Sequence, residues 1–182
     1  MAKPRAWPVI AAAAVGIAIL CSLGAWQVQR LAWKQALIAE LNDRATVEPV
    51  DVATVEQRLR RGEGVEYSRV KLEGTFVHRR ESTVVSVYGG GPAFTIVTPL
   101  IMTGASAVLV DRGQVPEPRR NDVVRPEGTV RLTGVVRLHD AGPGYFVVAN
   151  DAAARAWYWW DVPAMQRASD LPQTTKWLPF VV

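Results

Sequence analysis

The sequence predicts the α+β class: an N-terminal transmembrane helix followed by a small antiparallel β-barrel or sandwich-like domain with two short helices. Three observations predict it. Ala6 to Gln29 is 24 residues long and holds no charged side chain. From Tyr67 onward the apolar period changes to two, as in strands with one buried face. Two aspartates, Asp51 and Asp161, stand where short helices begin. The 182 residues, 49% apolar and 21% charged, suffice for one globular domain and an appendage. That composition excludes general disorder, and 14 Gly and 12 Pro without a period exclude a collagen-like chain. One Cys excludes a disulfide framework. With two His and three Met besides, no purpose-built copper, zinc or iron–sulfur site is expected.

The expected organisation is a tail and membrane helix over 1–30, a juxtamembrane helix and linker over 31–48, and the β domain over 49–182. The formal net charge of +4 is unevenly placed. Residues 1–34 hold Lys3, Arg5, Arg30 and Lys34 and no acid, which leaves 17 basic and 17 acidic residues for the rest. Nucleic-acid binding needs a basic face on the domain. Here the excess charge flanks the apolar run, as the charges of a membrane anchor do.

About 20 apolar residues cross the hydrocarbon core as a helix. Trp7 and Trp26 stand near the ends of the run, where indoles favour the interface. A cleaved signal peptide has a shorter apolar region and a small-residue cleavage site, and Cys21 to Ala25 makes a poor one. A lipid-modified Cys21 conflicts with the bulk of Leu20 before it. An uncleaved helix is therefore expected. The basic residues are evenly split across it, so the orientation is nearly tied, with the short basic tail favouring an inside N-terminus.

Trp26, Arg30, Trp33, Lys34, Leu37 and Leu41 are spaced by three and four and share one stripe, so the helix is expected to run unbroken to about Asp43. In one reading Arg30 and Lys34 snorkel to lipid phosphates while the indoles anchor the interface. In the other, the stripe meets an intramembrane partner or a cofactor carboxylate.

Pro49 breaks the chain next, Asp51 caps a helix to about Arg61, and Gly62 and Gly64 end it. Val70, Leu72, Gly74 and Phe76 share one strand face, as do Val130, Leu132, Gly134, Val136 and Leu138. Val-Lys-Leu-Glu-Gly and Val-Arg-Leu-Thr-Gly also resemble each other, as equivalent strands of a pseudo-repeat do. The Gly in each is expected to bend or bulge its strand. Further strands are expected at Thr83–Tyr88, Phe94–Met102, Ala107–Arg112, Tyr145–Ala149 and Trp177–Val182. Gly89–Pro92 and Thr103–Ala105 supply turns. Asp161 caps a helix to about Ala168, with Pro163 in its first turn.

Few groups carry recognisable chemistry. Gly89–Pro92 lacks the Lys-Ser/Thr ending and the following helix of a phosphate loop, which leaves a hairpin turn. His139-Asp140 has no nucleophile motif beside it, and His78 sits in Val-His-Arg-Arg. Either imidazole is a candidate haem ligand or a solvated surface group. No carboxylate pair suggests acid–base work, so the chain is not expected to be an enzyme. In an extended Trp157-Tyr158-Trp159-Trp160, Trp157 and Trp159 face one way and the other two the opposite way. One face then belongs to the core and the other to lipid or a partner. Within Asp111-Arg112-Gly113, Arg112 either pairs with a carboxylate at the strand end while Gly113 permits a turn, or it holds a ligand carboxylate such as a haem propionate.

These pieces, in this order, resemble the surfeit-locus-1 protein family. The residues that match are Leu23 to Arg30 with Gly24 and Gln27, then Trp33-Lys34 and Leu37-Ile38. Tyr67 to Val70 with Gly74-Thr75-Phe76 follows, then Thr98-Pro99-Leu100 and Val108 to Gly113 with Val115-Pro116. Gly134 to Arg137, Asn150-Asp151 and Trp157-Tyr158 with Asp161 complete the likeness, which covers nearly the whole chain and is nearest to bacterial members. Asp111 and Gln114 replace the family's usual Asn and aromatic, and Trp160 stands where an Arg is frequent.

The resemblance implies an assembly factor for haem–copper cytochrome c oxidases of the aa3 type, helping to deliver or stabilise haem a in the catalytic subunit. Its implied partners are that subunit, haem a biosynthesis proteins and the lipid bilayer, and no nucleic acid. The implied location is the bacterial inner membrane, N-terminus in the cytoplasm and main domain in the periplasm. Family members continue into a second membrane helix that follows a His-containing motif linked to haem. These 182 residues stop at Val182, so haem a is expected to bind transiently and mainly through a segment outside them. A different class, a permanent structural subunit of an envelope complex, stays open.

Overall fold

Between Pro8 and Pro49 the chain has no proline, and up to Gln29 it has no charge, so nothing interrupts a long apolar helix. In the computed structural model this stretch is α1, Trp7–Thr46. The structure describes residues 7–139, 142–143 and 147–182, and the side chains of 37 and 39–46 are outside that description. The segment Trp7–Ala36 is long and apolar enough to cross a membrane, and its side chains face outward. At 1.5 Å per residue the whole helix is about 60 Å long, more than a bilayer core requires.

Residues 47–182 form a separate unit. Its elements are β1 (Val50–Asp51), α2 (Val52–Arg60), β2 (Arg69–Phe76), β3 (Ser82–Tyr88), β4 (Gly91–Met102), β5 (Ser106–Pro116), β6 (Thr129–Val135), β7 (Ala156–Trp157), α3 (Val162–Ala168) and β8 (Lys176–Val181). The strands make one mixed sheet. Antiparallel ladders join β6 to β2, β2 to β4, β4 to β3 and β4 to β5. Three pairs are parallel, β1 with β2, β7 with β3 and β8 with β5, where the sequence suggested an antiparallel sheet throughout.

The path β6–β2–β4–β5–β8 returns on itself. Arg137, just past β6, bridges Val181 of β8, with N–H to carbonyl distances of 2.8 and 3.0 Å. The hydrogen bonding therefore closes a small barrel. Its interior holds Val70 and Leu72 from β2, Leu100 from β4, Val108 from β5 and Val136, with Phe180 and Val182 at the other wall. Val55 of α2 packs into the same cluster. A second cluster lies on the outer side of β3, β4 and β5, where Val84, Val97 and Leu109 meet Trp157 and the α3 residues Val162 and Met165.

The two similar pentapeptides are adjacent and antiparallel, Val70 opposite Gly134 and Gly74 opposite Val130, about the central pair Leu72–Leu132. Their register is continuous, so neither Gly marks a bulge between them. Space is the reason instead. A Cβ on Gly74 would stand 2.3 Å from the Ile101 carbonyl oxygen, and one on Gly134 would stand 2.3 Å from a Val182 methyl.

Other expectations meet the structure in detail. Gly89 and Gly90, at φ +60° and +81°, form a two-residue hairpin loop closed by the Tyr88–Gly91 pair. Asp161 accepts from the Ala164 N–H at 3.0 Å and caps α3. Asp51 occupies the cap position of α2 and also ends β1, but its side chain makes no cap bond. The expected strand over 145–149 is not formed by Val147 to Ala149, which are exposed and irregular, and 145–146 lie outside the described residues. The four aromatics do not alternate along a strand, because β7 ends at Trp157. Trp157 is buried, Tyr158 is exposed, and Asn150 accepts from the N–H groups of Tyr158 and Trp159 where the chain turns.

Gly134→Ala should lower stability by about 1–3 kcal/mol through overpacking, and adding Val182→Ala should restore part of it. Gly74→Ala should not be rescued this way, because backbone is what blocks it. Thermal unfolding of the four variants in detergent separates the two cases. Glu73 lies opposite Arg131 and receives two hydrogen bonds from it, at 2.9 and 3.2 Å. That bonding, then the guanidinium charge, holds the Glu73 carboxyl below its ordinary pKa. Its stabilising effect is therefore present above the ordinary value and is lost as pH falls through the lowered one. Glu73→Gln should flatten the acid limb of the stability–pH curve slightly and leave the alkaline limb alone.

Candidate functional site

β4 changes neighbour along one edge, from β3 up to Val97 to β2 from Leu100. Pro99 lies in the changeover, where its carbonyl accepts from the Val77 N–H at 2.9 Å. In a strand a residue's N–H and C=O point to the same edge. The missing N–H of Pro99 therefore faces the gap between β2 and β3, and no ladder bond is lost. The connection across this gap is a single 3-10 turn, His78–Arg80, which brings Glu81 over β4.

On the other edge of β4, the register with β5 slips by one residue between Thr95 and Val97. The extra residue of β5 falls at Arg112-Gly113, and Gly113 has φ +94°. Its N–H donates to the Asp111 carboxylate at 2.7 Å. The Asp111 side chain thus closes the turn that the bulge makes. The bulge re-aims Arg112. Its guanidinium lies 3.4 Å from Glu81, 5.2 Å from the centre of the Phe76 ring, and donates to the Val124 carbonyl. Both side chains of the pair are only 13% exposed. Burial pulls the Arg112 pKa below its ordinary value, against the pull of Glu81, and the Arg125 charge adds to the lowering. At neutral pH the group stays a cation.

Glu81 is shared. Arg125 donates to its other oxygen at 2.8 Å, and the Thr98 hydroxyl lies 3.5 Å from the oxygen facing Arg112. His78 donates from Nε2 to the Pro126 carbonyl at 2.7 Å, and its ring lies 5.6 Å from Phe76. Its Nδ1 is buried and has no hydrogen-bond partner among the described residues. Arg112 and His78 thus flank one ring. His139 is elsewhere, stacked on Trp160 at 4.1 Å over a groove of about 470 Å³ that Asp161 and Gln166 also line. Asp140 lies outside the described residues. No group of three metal-ligating side chains occurs among the described residues.

The remaining motif residues have structural places. Arg137 stacks 5.0 Å over Tyr67, whose N–H donates to the Val136 carbonyl at 2.9 Å. Pro116 ends β5. On α1, the Arg30 guanidinium lies 5.3 Å over Trp26, one turn away, while Trp33 and Lys34 are exposed. A Cβ added to Gly24 would meet open space, and Gln27 is exposed. The side chains of Leu37 and Leu41 lie outside the described residues. Sequence reasoning missed Glu81 and Arg125. A carboxylate two residues before the expected strand Thr83–Tyr88, after two arginines, was the only signal of the first.

A helix fit to cross a membrane, followed by a curled mixed sheet with short helices, defines the class: an α+β domain behind an apolar anchor. The chain belongs to the SURF1 family, whose model matches residues 14–182. Surfeit locus protein 1 of Homo sapiens is 35% identical over 167 residues, covering 80% of this chain and 54% of that protein. The SURF1-like protein of Monosiga brevicollis is 36% identical over 159 residues, covering 79% and 59%. Surfeit locus protein 1 of Xenopus tropicalis is 31% identical over 165 residues, covering 79% and 52%. The chain spans a little over half the length of these relatives.

The Glu81–Arg112 pair should show a coupling free energy of about 1 kcal/mol or more in a double-mutant cycle with Glu81→Gln and Arg112→Gln. Exposed surface pairs give about 0.2–1 kcal/mol. Arg112→Lys should recover little of the loss, because Lys lacks the flat fork that lies over Phe76. Chemical denaturation of the full chain reads all of these.

Proposed function

We propose that this chain is a membrane-anchored assembly factor for haem–copper cytochrome c oxidase of the aa3 type, aiding haem a delivery or stabilisation in the catalytic subunit. The observation that carries the reading is family membership over residues 14–182, joined to an apolar helix fit to anchor it. In this reading the helix sits in a bacterial inner membrane with its N-terminus in the cytoplasm and the β domain in the periplasm. The chain is no enzyme. Haem a is its cargo, and the catalytic subunit and haem a biosynthesis proteins are its partners.

Trp26, Arg30, Trp33 and Lys34 form the membrane-proximal contact. The stacked Arg30–Trp26 pair presents a cation and a flat apolar face together, which suits both headgroups and a partner helix. Of the two imidazoles, His78 is poorly placed as a ligand, with Nε2–H committed and Nδ1 buried. His139 borders an open groove beside Trp160.

In a strain lacking this gene and any other copy of the family, the a-type signal in reduced-minus-oxidised membrane spectra and oxidase turnover should fall together. Returning the gene should restore both. If both stay normal, the assembly reading fails and a permanent structural subunit takes its place. The two readings also differ in stoichiometry, since an assembly factor leaves the finished oxidase.

A further inference from the structure

Beside Glu81 lies a small polar cleft of about 230 Å³. Three guanidinium-bearing residues from three chain segments line it. Arg120 follows the 3-10 turn Glu117–Arg119, Arg125 lies in the stretch before β6, and Arg155 sits in the turn before β7. Thr83 and Asn121 add a hydroxyl and an amide. The one carboxylate in the lining is Glu81, and it is already engaged by Arg112 and Arg125. Arg120 and Arg155 form no ion pair among the described residues, although the Arg120 guanidinium is steadied 4.6 Å over the Phe94 ring.

We propose that this cleft is an oxyanion site, taking a phosphate-class group through Arg120, Arg125 and Arg155. Gathering like charges around one cavity opposes folding unless something neutralises them. The residues beyond 34 are balanced in charge, so the concentration of cations here is local. Arg155 is also held at φ +51°, a left-handed backbone that Gly or Asn adopts more cheaply. Its carbonyl accepts from the Thr83 N–H at 3.0 Å, which fixes that turn against β3 beside the cleft. Planar guanidinium forks match phosphate oxygens two at a time. The volume is below that of drug-sized ligand pockets and suits one small oxyanion group with its waters. A free phosphate and a phospholipid headgroup share this chemistry.

The test uses the full chain in uncharged detergent, with inorganic phosphate titrated against chloride at constant ionic strength. The unfolding temperature should rise saturably with phosphate. Arg120→Gln with Arg155→Gln should weaken the midpoint about tenfold or more. Arg60→Gln on α2 should leave it unchanged, which controls for general charge. Glu81→Gln removes the opposing charge and should tighten binding severalfold, a gain that misfolding cannot imitate. No saturable response in the unaltered chain, or an equal one in the double variant, overturns the site. Repeating the titration in phosphatidylcholine and phosphatidylglycerol nanodiscs separates the sources. Loss of the phosphate response only with phosphatidylglycerol supports a headgroup as occupant, and an equal response in both supports the free ion.

Discussion

Arg137 and Val181 exchange two backbone hydrogen bonds, and the β domain is arranged around that closure. Without it the edges of β6 and β8 would be open, and open edges recruit other strands. The closure also seats Val182, whose N–H donates to the Leu109 carbonyl at 3.0 Å and whose carbonyl accepts from the Asp111 N–H at 2.8 Å. Those bonds extend the β5–β8 pairing up to the bulge that aims Arg112. Val182 in turn needs the room that Gly134 leaves. Barrel closure, the missing side chain on β6 and the direction of Arg112 are therefore one linked set of constraints.

The site owes its place to β4. A 12-residue strand is longer than either partner on its changing edge, so β3 and β2 must share it. Wherever two strands share a third, the chain between them has to leave the sheet and come back. Here the returning residues carry Glu81, and the gap tolerates Pro99 without loss of a ladder bond. A half-buried carboxylate at such a gap needs cations, and the bulge in β5 supplies Arg112 while the stretch before β6 supplies Arg125. Irregular backbone on both sides of β4 thus converges on one ion cluster.

What could be read from the chain follows from what is local. Period-two faces placed β2 and β6, the glycine run of Gly89–Pro92 placed the β3–β4 hairpin, and Asp161 before a proline placed α3. Each of these signals lies within a few residues of the structure it specifies. Parallel pairing of β8 with β5 depends on partners about 70 residues apart and leaves no mark in either strand. The glycines show the same divide. That Gly74 and Gly134 are special was legible, but the reason, a carbonyl and a methyl 2.3 Å from any added Cβ, belongs to β4 and Val182. The aromatic run misled because strand alternation was assumed where Asn150 turns the chain. Of the site, Arg112 was legible, whereas Glu81 and Arg125 acquire meaning only when β3 and the segment before β6 are folded together.

Two roles were open for Arg112 from sequence, a strand-end ion pair or a ligand carboxylate. The geometry changes how they compete. An external carboxylate at Arg112 must displace Glu81, which is only 13% exposed and would be left with Arg125 alone. Removing one partner of a half-buried pair costs far more than the exposed pair contributes. An incoming anion meets no such penalty at Arg120 and Arg155, which have no counter-ion to give up among the described residues. In that arrangement Arg112 and Glu81 act as a fixed wall: they orient Arg125 and hold the gap in the sheet, while the neighbouring cations stay available. A motif residue can then be tied to function without touching a ligand, because it sets the position of the residues that do.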